Sequence, residues 1–113
     1  MARDDYHVIV YQILAYLYLQ LKSGDAVDEK RLMPGDGFLG INETYWQYIM
    51  INLLNDGLIS GITVSHSLNG SAIIGGLNKC QITPRGIEYL CDNSFMEKAK
   101  AFFKDIKAIV PFV

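Results

Sequence analysis

Asn55-Asp56-Gly57-Leu58-Ile59 decides the fold, because the period of the chain changes inside it. Before it, Trp46, Ile49, Met50, Leu53 and Leu54 recur every three or four residues, the spacing of one helix face. Asn42 is a good N-cap for that helix, and Glu43 puts an acid in its first turn. Gly57 supplies the left-handed residue that stops it. Afterwards the period is two. Leu58, Ile59, Ile62 and Val64 mark one strand, and Ala72, Ile73 and Ile74 mark another. Asn69-Gly70 lies between them, tolerates positive φ at both positions, and is the strongest short-range hairpin signal in the chain.

Towards the N-terminus, residues 25–33 predict a short charged second helix, with Leu32 and Met33 as its buried end and Pro34 as its stop. A glycine-rich turn, Gly35-Asp36-Gly37-Phe38-Leu39-Gly40, joins it to the helix that opens at Asn42. Asp4 or Asp5 caps a first helix ending at Gly24. Tyr6, Ile9, Val10, Ile13, Leu14, Leu17, Tyr18 and Leu21 form its stripe, but Val8, Tyr11 and Tyr16 lie outside it. Such a helix is buried on several sides or meets a partner.

Towards the C-terminus, a third short strand covers residues 80–82, and Thr83 caps a fourth helix with Pro84 at its first position. Asn93-Ser94 breaks and recaps the chain. An amphipathic C-terminal helix follows over residues 95–110, with Phe95, Ala99, Phe102, Phe103, Ile106 and Ile109 on one face and Lys100, Lys104 and Lys107 on the other. Three helices, a hairpin and two further helices predict an α+β chain of winged-helix order, with residues 1–113 as one domain. The third helix is then the recognition helix and the hairpin the wing.

Several segments carry a resemblance to a family. They are Asp5-Tyr6-His7-Val8-Ile9-Val10-Tyr11, Tyr45-Trp46-Gln47-Tyr48-Ile49, Asp56-Gly57-Leu58-Ile59-Ser60-Gly61-Ile62-Thr63, Ile82-Thr83-Pro84-Arg85-Gly86-Ile87-Glu88-Tyr89-Leu90 and Ile109-Val110-Pro111-Phe112. In these the chain resembles the YjcQ family, small winged-helix proteins of low-GC Gram-positive bacteria and their phages. The resemblance implies a winged-helix fold and a prophage origin, and no established activity.

The formal net charge is −2, whereas a dedicated nucleic-acid binder carries a basic balance, so any basic surface is local. Cys80 and Cys91 have no second cysteine pair and no histidine at ligand spacing. They are expected as two small buried thiols in a reducing cytoplasm, with no metal. Arg3 is outweighed by Asp4 and Asp5, so the start does not read as a secretory signal. The apolar stretch from Val8 to Leu21 is shorter than the ~20 residues of a membrane span. Gly35, Gly37 and Gly40 spell a dinucleotide-binding string, but no strand precedes it and Asp36 opposes a pyrophosphate, so no cofactor is expected. No nucleophile or acid–base pair emerges, and the chain reads as non-enzymatic.

The leading reading is a winged-helix DNA-binding protein, a transcriptional regulator of phage or prophage type, bound to double-stranded DNA. Thr44, Gln47 and Tyr48 would face outward from the third helix, and His66, Ser67 and Asn69 would lie on the wing. Lys79 and Arg85 stand near the base of the wing, and Lys100, Lys104 and Lys107 would grip phosphates or simply solubilise a helix face. The alternative is a protein-interaction module or homodimeric adaptor, joined through the first and last helices. The acidic balance and a third helix without Lys or Arg point that way. A continuous positive strip from third helix to wing would favour DNA, and an apolar or acidic face a protein partner.

Overall fold

The computed structural model describes residues 2–35 and 39–106. Among the described residues it is a mixed α+β fold with four helices and two small antiparallel β-pairs. Helix α1 (Tyr6–Ser23) is the centre. Every residue from Val8 to Leu14 is buried, as are Tyr16 and Leu17, because α2, α3, α4 and β4 all pack on this helix. Its excess of apolar residues is therefore used within the chain. Leu21, expected in the stripe, is instead 49% exposed, since the packing ends before the last turn. Gly24 closes the helix at φ 74°, as its sequence position requires.

The expected second helix over residues 25–33 is reduced to one 3-10 turn, Glu29–Leu32. Tertiary bonds hold the preceding segment in another shape. The Asp28 N–H donates to the Tyr16 hydroxyl at 2.8 Å, and the Gln20 amide donates to the Ala26 carbonyl at 2.7 Å. The Asp28 carboxylate then caps the turn through the Lys30 N–H, and Pro34 keeps Met33 extended. Buried Leu32 still reaches the core.

Helix α2 (Glu43–Asn55) opens on Asn42, whose side chain accepts from the Tyr45 N–H at 2.9 Å. Trp46, Ile49, Met50 and Leu53 face inward. The Trp46 indole N–H donates to the Leu32 carbonyl at 2.6 Å, which ties the 3-10 turn to α2.

The single strand expected from Leu58 to Val64 is two strands. β1 (Ile59–Ser60) pairs with β4 (Gln81–Ile82), and β2 (Thr63–His66) pairs with β3 (Ala72–Gly75). The break is at Gly61, φ 92°, where a Cβ would overlap the Lys79 carbonyl. Close backbone approach explains the glycine. The third strand is one residue shorter than expected, beginning at Gln81, after Cys80 closes a second 3-10 turn.

Helix α3 (Pro84–Asp92) starts as read, with the Thr83 hydroxyl accepting from the Gly86 N–H at 3.0 Å. Asn93 separates it from α4 (Ser94–Ile106) and accepts from the Phe95 N–H. The inward residues of α4 include Met96, Ala99 and Phe103. Phe95, expected inward, is 44% exposed. The portion of the last helix expected beyond Ile106, with Lys107 and Ile109, lies outside the described residues.

Candidate interaction surface

Burial of Trp46, Ile49, Met50 and Leu53 leaves the opposite side of α2 to solvent. Thr44, Tyr48 and Asn55 are exposed there, with Ile51 and Asn52 half-buried. Tyr48 is 60% exposed. Gln47, expected outward, is half-buried. Its side-chain amide donates to the Ala72 carbonyl at 3.1 Å, so α2 holds the hairpin by this residue.

The hairpin turns on Gly70, φ 86°, whose N–H donates to the Ser67 carbonyl. The Asn69 side-chain oxygen accepts from the Ser71 N–H and from the Ser67 hydroxyl, so two of the three predicted wing contacts are engaged within the turn. His66 is exposed at the end of β2. Leu68 is fully exposed at the tip and Ile73 half-exposed on β3. Between α2 and the hairpin runs a groove of about 400 Å³, lined by Met33, Pro34, Gln47 and Ile73, with Glu29 and Glu43 beside it.

The predicted basic residues are not gathered on this face. No Lys or Arg occurs in residues 32–78, which contain all of α2 and the hairpin. Lys79 is exposed in the turn after β3, and Arg85 is exposed at the start of α3, near Gly57. Lys100 and Lys104 are exposed on α4, which packs on α1 and α3. Lys107 lies outside the described residues. The candidates therefore fall into separate places: α2, the hairpin, the turn after β3, the start of α3, and α4.

The fold does gather an aromatic group that the sequence reading left apart. Tyr6 and Tyr48 meet edge to face, with ring centroids 6.2 Å apart. The Tyr45 hydroxyl donates to the Asp4 carbonyl at 2.7 Å. Burial, and then the Asp56 carboxylate and the neighbouring tyrosines 89, 48 and 45, push the Tyr6 phenol above its ordinary range. Tyr89 is raised by burial and then by Asp56, and Tyr45 by burial and then by Asp4 and Asp5. Three carboxylates thus sit within electrostatic reach of three phenols. Tyr6, Tyr89 and Asp56 come from different elements, so their meeting has no local sequence signal.

The first helix begins with a second ring stack. His7 lies parallel to Phe95 at 4.1 Å, and its Nδ1 is buried without a hydrogen-bond partner. The Lys98 ammonium sits 5.5 Å from the Phe95 centroid. Of the two thiols expected to be buried, Cys80 is buried and Cys91 is exposed at the end of α3. Both are free. Among the described residues no group of His, Cys, Asp or Glu could hold a metal ion, and no helix is long and apolar enough to cross a membrane.

An α+β fold with a hairpin braced against a helix without Lys or Arg defines a small protein whose distinctive feature is an exposed surface. The chain belongs to the YjcQ family, described as YjcQ protein, whose model matches residues 11–109. No curated protein and no solved structure matches the chain.

Proposed function

We propose that this chain is a winged-helix protein-interaction module, non-enzymatic and cytoplasmic, with α2 and the β2–β3 hairpin as its binding face. The order of α1, a 3-10 turn, α2 and a hairpin supports the winged-helix reading, with the turn standing where a second helix is usual. That support is at the level of fold, so the function has to be argued from the surface. The observation that carries it is the absence of Lys and Arg from residues 32–78. Phosphate contacts by those side chains supply essentially all non-specific DNA affinity. Interface cores are instead depleted in charge and enriched in aromatic side chains, and Tyr48, Ile73 and Leu68 present that chemistry. Free thiols fit a reducing compartment.

DNA binding, first in the sequence reading, is the second reading. Lys98, Lys100 and Lys104, all exposed on α4, favour it. In that case α4 grips phosphates, and Thr44, Tyr48 and Asn55 are left to read bases. A homodimer through the first and last helices keeps narrower support. The middle of α1 is covered by its own chain, so what remains is Leu19, Leu21 and a cleft of about 520 Å³ between α1, α3 and α4.

The test is fluorescence anisotropy of labelled random duplex DNA at about 50 mM and about 200 mM salt. The module reading expects no binding at the lower salt, with protein up to about 100 μM. Binding that collapses at the higher salt would overturn it. Loss of that binding on changing Lys100 and Lys104 to Gln would then place the backbone on α4.

A further inference from the structure

We infer that the face formed by Tyr6, Tyr48 and Asp56, with Tyr89 and Asp4 at its borders, takes the guanidinium and ammonium groups of a Lys/Arg-rich segment of a partner protein. The inference rests on the protein-interaction reading and names the partner's chemistry.

Tyr6 opens α1 and Tyr48 lies mid-way along α2, so their edge-to-face contact bridges two helices. Tyr48 is 60% exposed, so much of its ring remains open to solvent. A cation over such a ring, within about 6 Å of its centroid, is attracted by the ring quadrupole. Asp56 lies eight residues beyond Tyr48, at the C-cap of α2. That is about 12 Å further along the helix axis and about 80° around it. Its carboxylate lies within electrostatic reach of Tyr6 and of Tyr89.

Two further sources of negative potential meet there. The C-terminus of α2 carries the negative end of the helix dipole, which favours a cation. The adjoining open cleft is lined by Glu88, Tyr89 and Asp92 together with Arg85. At the other border Asp4 and Asp5 act on Tyr45, with Arg3 adjacent in the chain. Carboxylates outnumber basic groups at both borders. A nucleic-acid phosphate would meet Asp4, Asp5 and Asp56, whereas a basic peptide would meet carboxylates and the open ring of Tyr48. Tyr and Asp together offer both parts of a cation's preferred surroundings.

The experiment titrates the full ¹⁵N-labelled chain with a nine-residue oligo-arginine peptide, and with oligo-glutamate as the control, following amide shifts. The expected result is a shift pattern centred on Tyr6, Tyr48 and Asp56 for the cationic peptide alone. Tyr48→Ala and Asp56→Asn should each weaken binding about fivefold. Tyr48→Phe should retain it, because the ring face is kept, and Glu97→Gln on α4 should leave it unchanged. Both Tyr48 and Asp56 are exposed, so these variants keep the core. The proposal is overturned if Tyr48→Ala binds as the parent does, if Glu97→Gln weakens binding as much as Asp56→Asn, or if the shifts avoid Tyr6 and Tyr48. Any of these, with the duplex titration still blank, removes this face and leaves the module reading standing. Salt-sensitive DNA binding removes the module reading itself.

Discussion

The side-chain amide of Gln47 hydrogen-bonds the Ala72 carbonyl, 25 residues away in the chain. A two-stranded hairpin alone is marginally stable, so packing and this bond hold β2–β3 against α2. Gln47→Ala should therefore cost about 1 kcal/mol, the net worth of one such bond. The loss should be local. Amide hydrogen exchange at Ser65 and Ile73, which form a hydrogen-bonded pair of the hairpin, should accelerate, while Ile13 and Leu14 in the middle of α1 change only with global stability. Unchanged exchange at Ser65 and Ile73 would mean the bond does not anchor the hairpin.

Thr83 joins two helix ends. Its hydroxyl donates to the Gly57 carbonyl at 2.6 Å and accepts from the Gly86 N–H at 3.0 Å. One side chain thus satisfies a carbonyl just past α2 and an N–H in the first turn of α3. Thr83→Ala should lower urea-measured stability by about 1–2 kcal/mol, the upper part of the range for losing an N-cap. Thr83→Ser keeps the hydroxyl and should recover most of it. Equal losses in the two variants would show that the methyl group, and not the hydroxyl, is what matters.

The elements that could be read from the chain are those whose causes are local. The Asn42 and Thr83 caps and the Gly24 and Gly57 stops each need only a few neighbouring residues, and each stands where the spacing puts it. The failures have distant causes. The second helix shrinks because Tyr16 and Gln20 on α1 bind the segment before it. The strand from Leu58 breaks at Gly61 because the Lys79 backbone crosses there. The surface follows the same division. Tyr48 faces outward as helical spacing puts it, whereas Gln47 turns inward because its partner is on β3. The meeting of Tyr6, Tyr89 and Asp56 depends on how α1, α2 and α3 pack.

Gly86 marks the tightest of these approaches within a helix. A Cβ there would overlap the Leu58 carbonyl oxygen and lie 2.7 Å from the Ile82 side chain. Gly86→Ala must push α3 off the β1–β4 pair and should cost about 3 kcal/mol or more, the high end for overpacking. Gly70 offers the contrast. It has φ 86° and nothing near its Cβ position, so Gly70→Ala meets only backbone strain of about 1–2 kcal/mol. Chemical denaturation of the two variants should rank them in that order. The reverse order would mean that α3 can shift freely.

Cys80 and Cys91 separate a buried thiol from an exposed one. Burial pushes the Cys80 thiol from its ordinary 9.0 up to about 12. In the unfolded chain this thiol loses its proton above about pH 9, whereas the folded protein keeps it until about pH 12. Across that window the unfolded state binds fewer protons, so stability falls as pH rises. Tyr6, Tyr11, Tyr45 and Tyr89, all raised from 10.0, act with the same sign but begin a unit higher. The interval from pH 9 to pH 10 therefore belongs chiefly to Cys80. Stability measured by urea at successive pH values should decline through it, and Cys80→Ala should flatten that interval while leaving the tyrosine decline above it. A slope that survives the substitution would assign the alkaline loss elsewhere. Reactivity gives an independent check. A thiol reagent at neutral pH should modify Cys91 quickly and Cys80 only on unfolding, and two fast thiols per chain would show that Cys80 is not sealed.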